Sequence, residues 1–494
     1  MADQVTISLW LFLVLVGISL LAVLDKILIP STRWFIRRKI NRVLNEISSR
    51  LDIEIRPFQL TQRRVLIDRL VYDTKVLQAV QDHAQNHDMP LEVAQKKALT
   101  YAREIVPSFN AYLYFRIGYW IAKKVARRLY RVRVGLLDND QFSAVDLEST
   151  VVFVMNHRSN MDYVLVAFLA AERTTLSYAV GEWARIWPLQ TLIRAMGAFF
   201  VRRNSGTNPL YRRILERYVH MATKEGVCQA VFLEGGLSRD GLLRAPKLGL
   251  VDYMLRSYAP TSDRDIVFIP VGVNYDRTLE DRSLLRDLDP SAEKRSRWFV
   301  FWTTVRFIRR GLFLMVLNRW ERYGYACVNF RNPVSMRAFC QDHAIDFSKL
   351  ERDARFPEIQ RLCDTLMDAV QKVIPVLPVS LVATVFLESG KTPLDIPEIE
   401  DRAGRLIRAL QAAGGPVFEI SRSSLTHVIA GAVHLLHLRR LLIAENDTFR
   451  MDPKEQALMD YYANAIAHWR PLRAASDTTV ADRPKPGPPI VDVD

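Results

Sequence analysis

The sequence predicts a layered α/β domain, with a mixed sheet flanked by helices, set between helical N- and C-terminal regions and preceded by one transmembrane helix. Three observations carry that expectation. Short β-branched or aromatic runs alternate with helical stretches through the middle of the chain, apolar residues spaced three and four apart dominate on either side, and an uncharged apolar run stands near the start. The expected plan is therefore an anchor over residues 1–30, an N-terminal helical region over 31–135, the α/β domain over 136–334, a C-terminal helical region over 335–473, and a tail over 474–494.

The apolar run, Val5 to Leu24, carries no charge and as a helix is long enough to cross the hydrocarbon core of a bilayer. Only Asp3 precedes it and Pro30 follows it, so it reads as an anchor rather than a cleaved signal. Lys26, Arg33, Arg37, Arg38, Lys39 and Arg42 crowd its C-terminal side, which by the positive-inside tendency places the rest of the chain in the cytoplasm. Beyond it, RRVLIDRLVYDTKVLQAVQDHAQ and YLYFRIGYWIAKKVARRLYRV have helical periodicity. The second is basic and aromatic, and three roles stand open for it: a membrane-surface face, a partner for the next domain, or a solvated outer wall.

Strands are expected at Val151 to Met155, Leu176 to Val180, Ala198 to Val201, Ala230 to Leu233, Ile266 to Val273 and Ala326 to Phe330. Between the last two, Trp298 to Trp320 is apolar and aromatic but broken by Arg306, Arg309 and Arg310, which favours an interfacial helix over a core helix with snorkelling arginines. After Ser335 the helical spacing returns, and the Pro- and Asp-rich end from about Ala474 is too poor in apolar residues to pack.

Across its 494 residues the chain has 68 Lys plus Arg against 54 Asp plus Glu, a net charge of +14 that favours polyanions: nucleic acid, acidic lipid or phosphorylated substrates. No nucleic-acid-binding motif accompanies that charge, and a bilayer-length anchor does, so nucleic acid is set aside. Cys228, Cys327, Cys340 and Cys363 form no CxxC pair, which points to a reduced compartment and away from a zinc site. His83 with His87, and His434 with His437, are spaced to share a helix face, but neither pair has a third ligand nearby in sequence.

The chemistry concentrates in VVFVMNHRSNMDYVL, Val151 to Leu165. In one continuous helix, positions five apart point about 140° away from each other. A turn at Asn156 to Asn160, between strand and helix, would instead let Asp162 hold one ring nitrogen of His157 and leave the other as a base. The competing reading is a capping segment with an incidental histidine. Three more strand ends carry related chemistry. GAFFVRR ends in Arg202 and Arg203, a pair suited to gripping a phosphate. FLEGGLSRDG lets the backbone approach a ligand at Gly235 and Gly236, with Ser238 and Arg239 behind as donors. IPVGVNY takes a buried strand into a proline-stiffened end.

In this order the four segments resemble the glycerolipid acyltransferases, with their HxxxxD pattern, a Gly-Ala-Phe-Phe-Ile-Arg-Arg-like block, a Phe-x-Glu-Gly-x-Arg-Ser-Arg block and a Pro-containing apolar strand. The likeness covers roughly Val151 to Tyr275, with weaker similarity through YACVNFRNPVSM and beyond. The doubled arginines of GAFFVRR look like the glycerol-3-phosphate and dihydroxyacetone-phosphate branch, of the membrane-bound bacterial type. The resemblance implies a glycerol-3-phosphate 1-O-acyltransferase, acting at the first step of phospholipid synthesis, on the cytoplasmic side of the inner membrane. His157 and Asp162 would be catalytic, and Arg202, Arg203, Glu234, Gly235, Gly236, Ser238, Arg239 and Lys247 would form the acceptor site. It implies no bound cofactor or metal. Acyl-CoA or acyl-carrier protein would be the co-substrate, and the phospholipid membrane and a small phosphorylated acceptor the partners. Leu237 and Leu242 depart from the pattern, where the family has cations, although Arg244 and Lys247 follow closely. That departure keeps dihydroxyacetone phosphate and lysophosphatidate open as acceptors, beside a non-catalytic, membrane-tethered lipid-binding scaffold.

Overall fold

The structure, a computed structural model, describes residues 56–111, 113–135, 145–146, 148–170, 176–181, 189–202, 208–288, 306, 322–417 and 422–469. The chain divides into two compact units. The first runs to Ser238 and resumes from Leu243 to Ile374, and the second comprises Arg239–Leu242 and the chain from Pro375 onward.

The first unit opens with helices α1 (Arg63–Val71), α2 (Thr74–Asn86) and α3 (Leu91–Ile105). Asp73 caps α2 by accepting from Lys75 N at 3.0 Å, and Val76, Val80 and Ala84 recur at helical spacing on its buried face. On α3 a stripe of Ala94, Ala98 and Ala102 lets neighbouring elements approach closely. The next helix, α4 (Tyr119–Leu129), stops short of the helical region expected to reach residue 135. RVRVG alternates with period two and forms strand β1 (Arg131–Gly135), so the sheet begins before residue 136.

The sheet then adds β2 (Thr150–Met155), helix α5 (Met161–Ala170), β3 (Ser177–Val180), α6 (Leu189–Ala195), β4 (Phe199–Phe200), α7 (Pro209–Lys224), β5 (Gln229–Phe232), α8 (Gly249–Leu255), β6 (Ile266–Tyr275) and α9 (Asp281–Arg286). It closes with β7 (Tyr325–Phe330), β8 (Val334–Ser335), α10 (Met336–Asp342) and α11 (Arg352–Gln371). Strand order is β1-β7-β6-β2-β5-β3-β4, with β8 also on β6. β6, β2, β5, β3 and β4 are mutually parallel, whereas β7 and β8 run antiparallel to β6, so the sheet is mixed as expected. Alternation sorts the two faces: Val152, Val154 and Phe268 enter one core with α1–α3, α7 and α11, while Val151, Met155, Val267 and Ile269 enter the other with α4 and α5.

Pro270 lies inside the fully buried β6. Its carbonyl accepts from Arg331 N at 3.0 Å, so its ring nitrogen faces the same side, at the point where β6 exchanges β8 for β7 as neighbour. The ladder has no bond to lose there.

The division into units falls after Ile374, not at Ser335: α10 and α11 pack on the first unit's core. The second unit contains α12 (Pro378–Ser389), α13 (Ile396–Ala412), α14 (Arg422–Leu438), a hairpin of β9 (Leu442–Glu445) and β10 (Thr448–Met451), and α15 (Gln456–Asn464). The hairpin corrects an all-helical expectation. Asn446 and Asp447 both take positive φ, 47° and 63°, as a primed turn demands. The residue pair Asn-Asp between LIAE and TFRM was the available signal.

Among the described residues no helix is long and apolar enough to cross a membrane. The anchor expected over 1–30, the tail over 474–494 and, apart from Arg306, the segment Trp298 to Trp320 lie outside the described residues. The four cysteines are buried and free. His83 and His87 lie ring against ring at 4.1 Å, with His87 Nδ1 bonded to the His83 carbonyl.

Candidate active site

Because β2, β5 and β6 are parallel neighbours, their C-terminal ends open on one edge of the sheet, where open α/β folds bind ligands. The chain leaves β2 through Asn156, whose side-chain amide donates to Val273 O at 2.9 Å and accepts from Val273 N at 2.8 Å. The amide thus extends the β2–β6 ladder by one residue after the strand has ended. This fixes where His157 departs.

The turn from His157 to Asn160 then enters α5, whose first turn carries Asp162. His157 Nδ1 and Asp162 Oδ2 are 2.9 Å apart. The same oxygen accepts from Arg158 N at 2.7 Å and Ser159 N at 3.1 Å, and Oδ1 accepts from the Tyr275 hydroxyl at 2.6 Å. Asp162 is fully buried, and four donors on its two oxygens leave the carboxylate no rotational freedom. With Nδ1 bound to an obligate acceptor, Nδ1 carries the proton and Nε2 is the basic nitrogen. Phe232 stacks on the imidazole at 4.0 Å, and the Tyr163 ring meets it edge-on at 5.3 Å. The ring plane is thereby held as firmly as the tautomer.

Two further carboxylates hold the turn. Glu234, at the end of β5, accepts from His157 N at 2.8 Å and Arg244 N at 3.0 Å. Glu280, just before α9, accepts from the Ser159 hydroxyl at 2.7 Å and from Asn160 N and Nδ2 at 3.3 and 3.1 Å. Burial raises both carboxyls above their ordinary range, against the hydrogen bonds that lower them. Burial also raises the Tyr275 hydroxyl well above its usual value, and the Asp162 charge adds to this, so the phenol remains a donor.

The glycine-rich loop closes around this turn. Ser238 N donates to His157 O at 2.9 Å, and Lys247 N donates to Leu233 O at 2.7 Å. Gly235 has φ +65°, and a Cβ there would lie 2.7 Å from Lys247 Cγ, so both the backbone and the Lys247 stem require glycine. At Gly236 a Cβ would come within 3.2 Å of the Arg244 guanidinium, the movable end of a long side chain. His157, Asp162, Glu234, Gly235, Gly236, Ser238 and Lys247 therefore converge.

Of the remaining candidates, Arg202 is engaged by other partners. Arg202, just past β4, gives both arms of its fork to Glu104, at 2.8 and 2.7 Å, and lies between the Tyr101 and Tyr211 rings at 5.0 and 5.1 Å. Glu104 raises the Arg202 pKa further. Arg203 lies outside the described residues. Arg239 is exposed and falls in the second compact unit. Glu280, the stacking of Phe232 on the imidazole and the bond from Tyr275 to Asp162 escaped the motif reading. Tyr275 was visible as the last residue of IPVGVNY, but nothing in its spacing tied it to Asp162, and Glu280 lies in an unpatterned loop.

Residues 133–274, the segment that carries the His157–Asp162 pair, match the family model described as Acyltransferase. Residues 311–477 match the Glycerol-3-phosphate acyltransferase C-terminal region, in line with the resemblance read from the motifs. The chain is 28% identical over 427 residues to a glycerol-3-phosphate acyltransferase of Pseudomonas entomophila (strain L48), an alignment covering 83% of this chain and 49% of the relative. A Pseudomonas putida protein of the same name is 28% identical over 426 residues with the same coverage. The chain thus spans about half the length of the curated relatives it matches. A 1-acyl-sn-glycerophosphate (LPA) acyltransferase structure from Thermotoga maritima aligns with 15% identity and a TM-score of 0.29, covering 51% of this chain and 78% of that one.

Proposed function

We propose that the protein transfers a fatty acyl group from an acyl thioester to the 1-hydroxyl of glycerol 3-phosphate. The observation that carries this reading is the His157–Asp162 pair, buried and held by Tyr275, Glu234 and Glu280, inside the segment that matches the acyltransferase family. In the step, Nε2 of His157 takes the acceptor hydroxyl proton as that oxygen attacks the thioester carbonyl carbon. The C–O bond forms, the C–S bond breaks, and the imidazolium returns its proton to the departing thiolate. Asp162 fixes the tautomer and offsets the imidazolium charge.

Lys247, Arg239, Arg203 and Arg202 would supply cations to the acceptor phosphate, Arg202 only once a phosphate competes with Glu104. Glu234 acts as a clamp on the turn rather than as a substrate contact, since its oxygens already serve His157 N and Arg244 N. An anchor at Val5 to Leu24 would keep the catalytic unit on the cytoplasmic face of the membrane, where an acylated product partitions into lipid. The donor is acyl-CoA or acyl-carrier protein. Leu237 and Leu242 favour a second reading in which the acceptor is dihydroxyacetone phosphate or lysophosphatidate.

The test offers the purified chain labelled acyl thioester with each acceptor in turn. Transfer to glycerol 3-phosphate that His157→Ala abolishes supports the reading. Equal transfer by the folded His157→Ala protein would overturn it.

A further inference from the structure

We propose that the outward face of α4, continued by edge strand β1, is a docking surface for an anionic lipid bilayer, separate from the expected N-terminal anchor. On α4 the inward positions are Ala122 and Ala126, 4% and 1% exposed, and through them the helix packs on α5, which carries Asp162. The opposite arc holds Trp120, Ile121 and Val125, exposed by 56%, 39% and 36%, interleaved with exposed Lys124 and Arg127. Val134 on β1 is 42% exposed, and Arg133 before it is exposed as well.

A wall facing only water has no use for a tryptophan and two aliphatics along one arc. An arc of aromatic and aliphatic groups laced with long cations matches the boundary between acyl chains and headgroups, where rings and methyls sink and lysine and arginine reach the phosphates. Lys124 already lies over the Trp120 ring at 4.7 Å, so its charge rides at the rim of the apolar group. Charge complementarity selects the lipid. From Ile105 to Leu137 there is no acidic residue, while Arg116, Lys123, Lys124, Arg127, Arg128, Arg131 and Arg133 contribute seven positive charges. β1 is the edge strand of the sheet, and its Val132 packs on the same core as Ala122 and Ala126, so Val134, two residues on, lies on α4's side of the sheet. An anchor holds the chain near a bilayer, and this face would set which side of the catalytic unit meets it.

The experiment uses the full chain with Ile121→Cys labelled by a polarity-sensitive fluorophore, the four native cysteines being buried. Val125→Cys serves as a second position one turn on, and Gln81→Cys on α2 as the solvated control. Vesicles of phosphatidylcholine alone are compared with equal parts phosphatidylglycerol and phosphatidylcholine. Expected with the anionic vesicles are a blue shift at residues 121 and 125, quenching by a shallow lipid-borne quencher, none at 81, and partial reversal by salt. Lys124→Gln and Arg127→Gln should each raise the anionic lipid needed about fivefold. Unchanged emission with anionic vesicles would overturn the proposal. So would a blue-shifted label before lipid is added, which would mean that another segment or a second copy covers the face, and so would an equal response at residue 81.

Discussion

The turn after β2 and the block after β4 are both short motifs at the ends of parallel strands in one sheet, and both deliver charged side chains there. Their states differ. In the first, Asp162 draws in His157 Nδ1, two backbone N–H groups and a phenol, and two outlying carboxylates fasten the turn that carries them. In the second, the fork of Arg202 is already spent on Glu104 and its faces on two tyrosines. A group that must act on substrate at once is prepared by partners that leave its working atom open, as Nε2 is left here. On the proposed reading, Arg202 waits for the acceptor phosphate on a carboxylate that the phosphate has to displace.

The largest effect should come from breaking the first region at its centre. Asp162→Asn removes the obligate acceptor that fixes Nδ1–H, and the amide can present a donor instead, reversing the tautomer. Transfer should fall about three to four orders of magnitude, as expected when such a pair loses its orienting carboxylate, with little change in acceptor KM. A steady-state rate within tenfold of the wild type would break the comparison.

Next comes Tyr275→Phe. It leaves Oδ1 of a fully buried carboxylate without its 2.6 Å donor, at a cost of about 1–3 kcal/mol for an unsatisfied buried group. We expect kcat to drop about tenfold or more with KM held, and the melting temperature to fall. A fall in melting temperature with kcat intact would reduce Tyr275 to a packing residue.

A smaller, pH-dependent effect should follow Glu280→Gln, which keeps an acceptor for Asn160 and can pair with the Ser159 hydroxyl as donor. Burial raises the Glu280 carboxyl above its unfolded value, so its contribution is fully favourable below the ordinary carboxylate range and is lost as pH rises through the raised pKa. Wild-type stability should therefore gain on that of the Glu280→Gln protein as pH is lowered from neutral toward about 4. Thermal unfolding of both proteins across that interval checks the sign.

Much of the first region was legible beforehand. The β-branched run before His157 and the helical run after Asp162 marked a strand and a helix with a bend between, and the glycines of FLEGG marked a close backbone approach, since both signals are local. The partners were not local. Tyr275 reaches Asp162 across 113 positions and Glu280 reaches Ser159 across 121, and only the parallel register of β2 with β6 brings them there. Strand β1 was hidden because RVRVG follows directly on a helix, and the hairpin at 442–451 because helices surround it. Glu104 was invisible as the partner of Arg202 for the same reason, lying 98 positions away on α3.

That partnership yields the smallest and sharpest comparison. If Glu104 holds Arg202 in reserve for an acceptor phosphate, Glu104→Gln removes the competing charge while leaving a carbonyl to orient the guanidinium between Tyr101 and Tyr211. Arg202 is partly exposed, 35% by side chain, so the pair is screened and contributes about 0–1 kcal/mol. The acceptor KM should then fall by up to about fivefold, with kcat unchanged, while Arg202→Ala raises it. A KM that ignores both substitutions would leave Arg202 and Glu104 as a brace between β4 and α3, and would shift the work of phosphate recognition onto cations nearer His157, with Lys247 first among them.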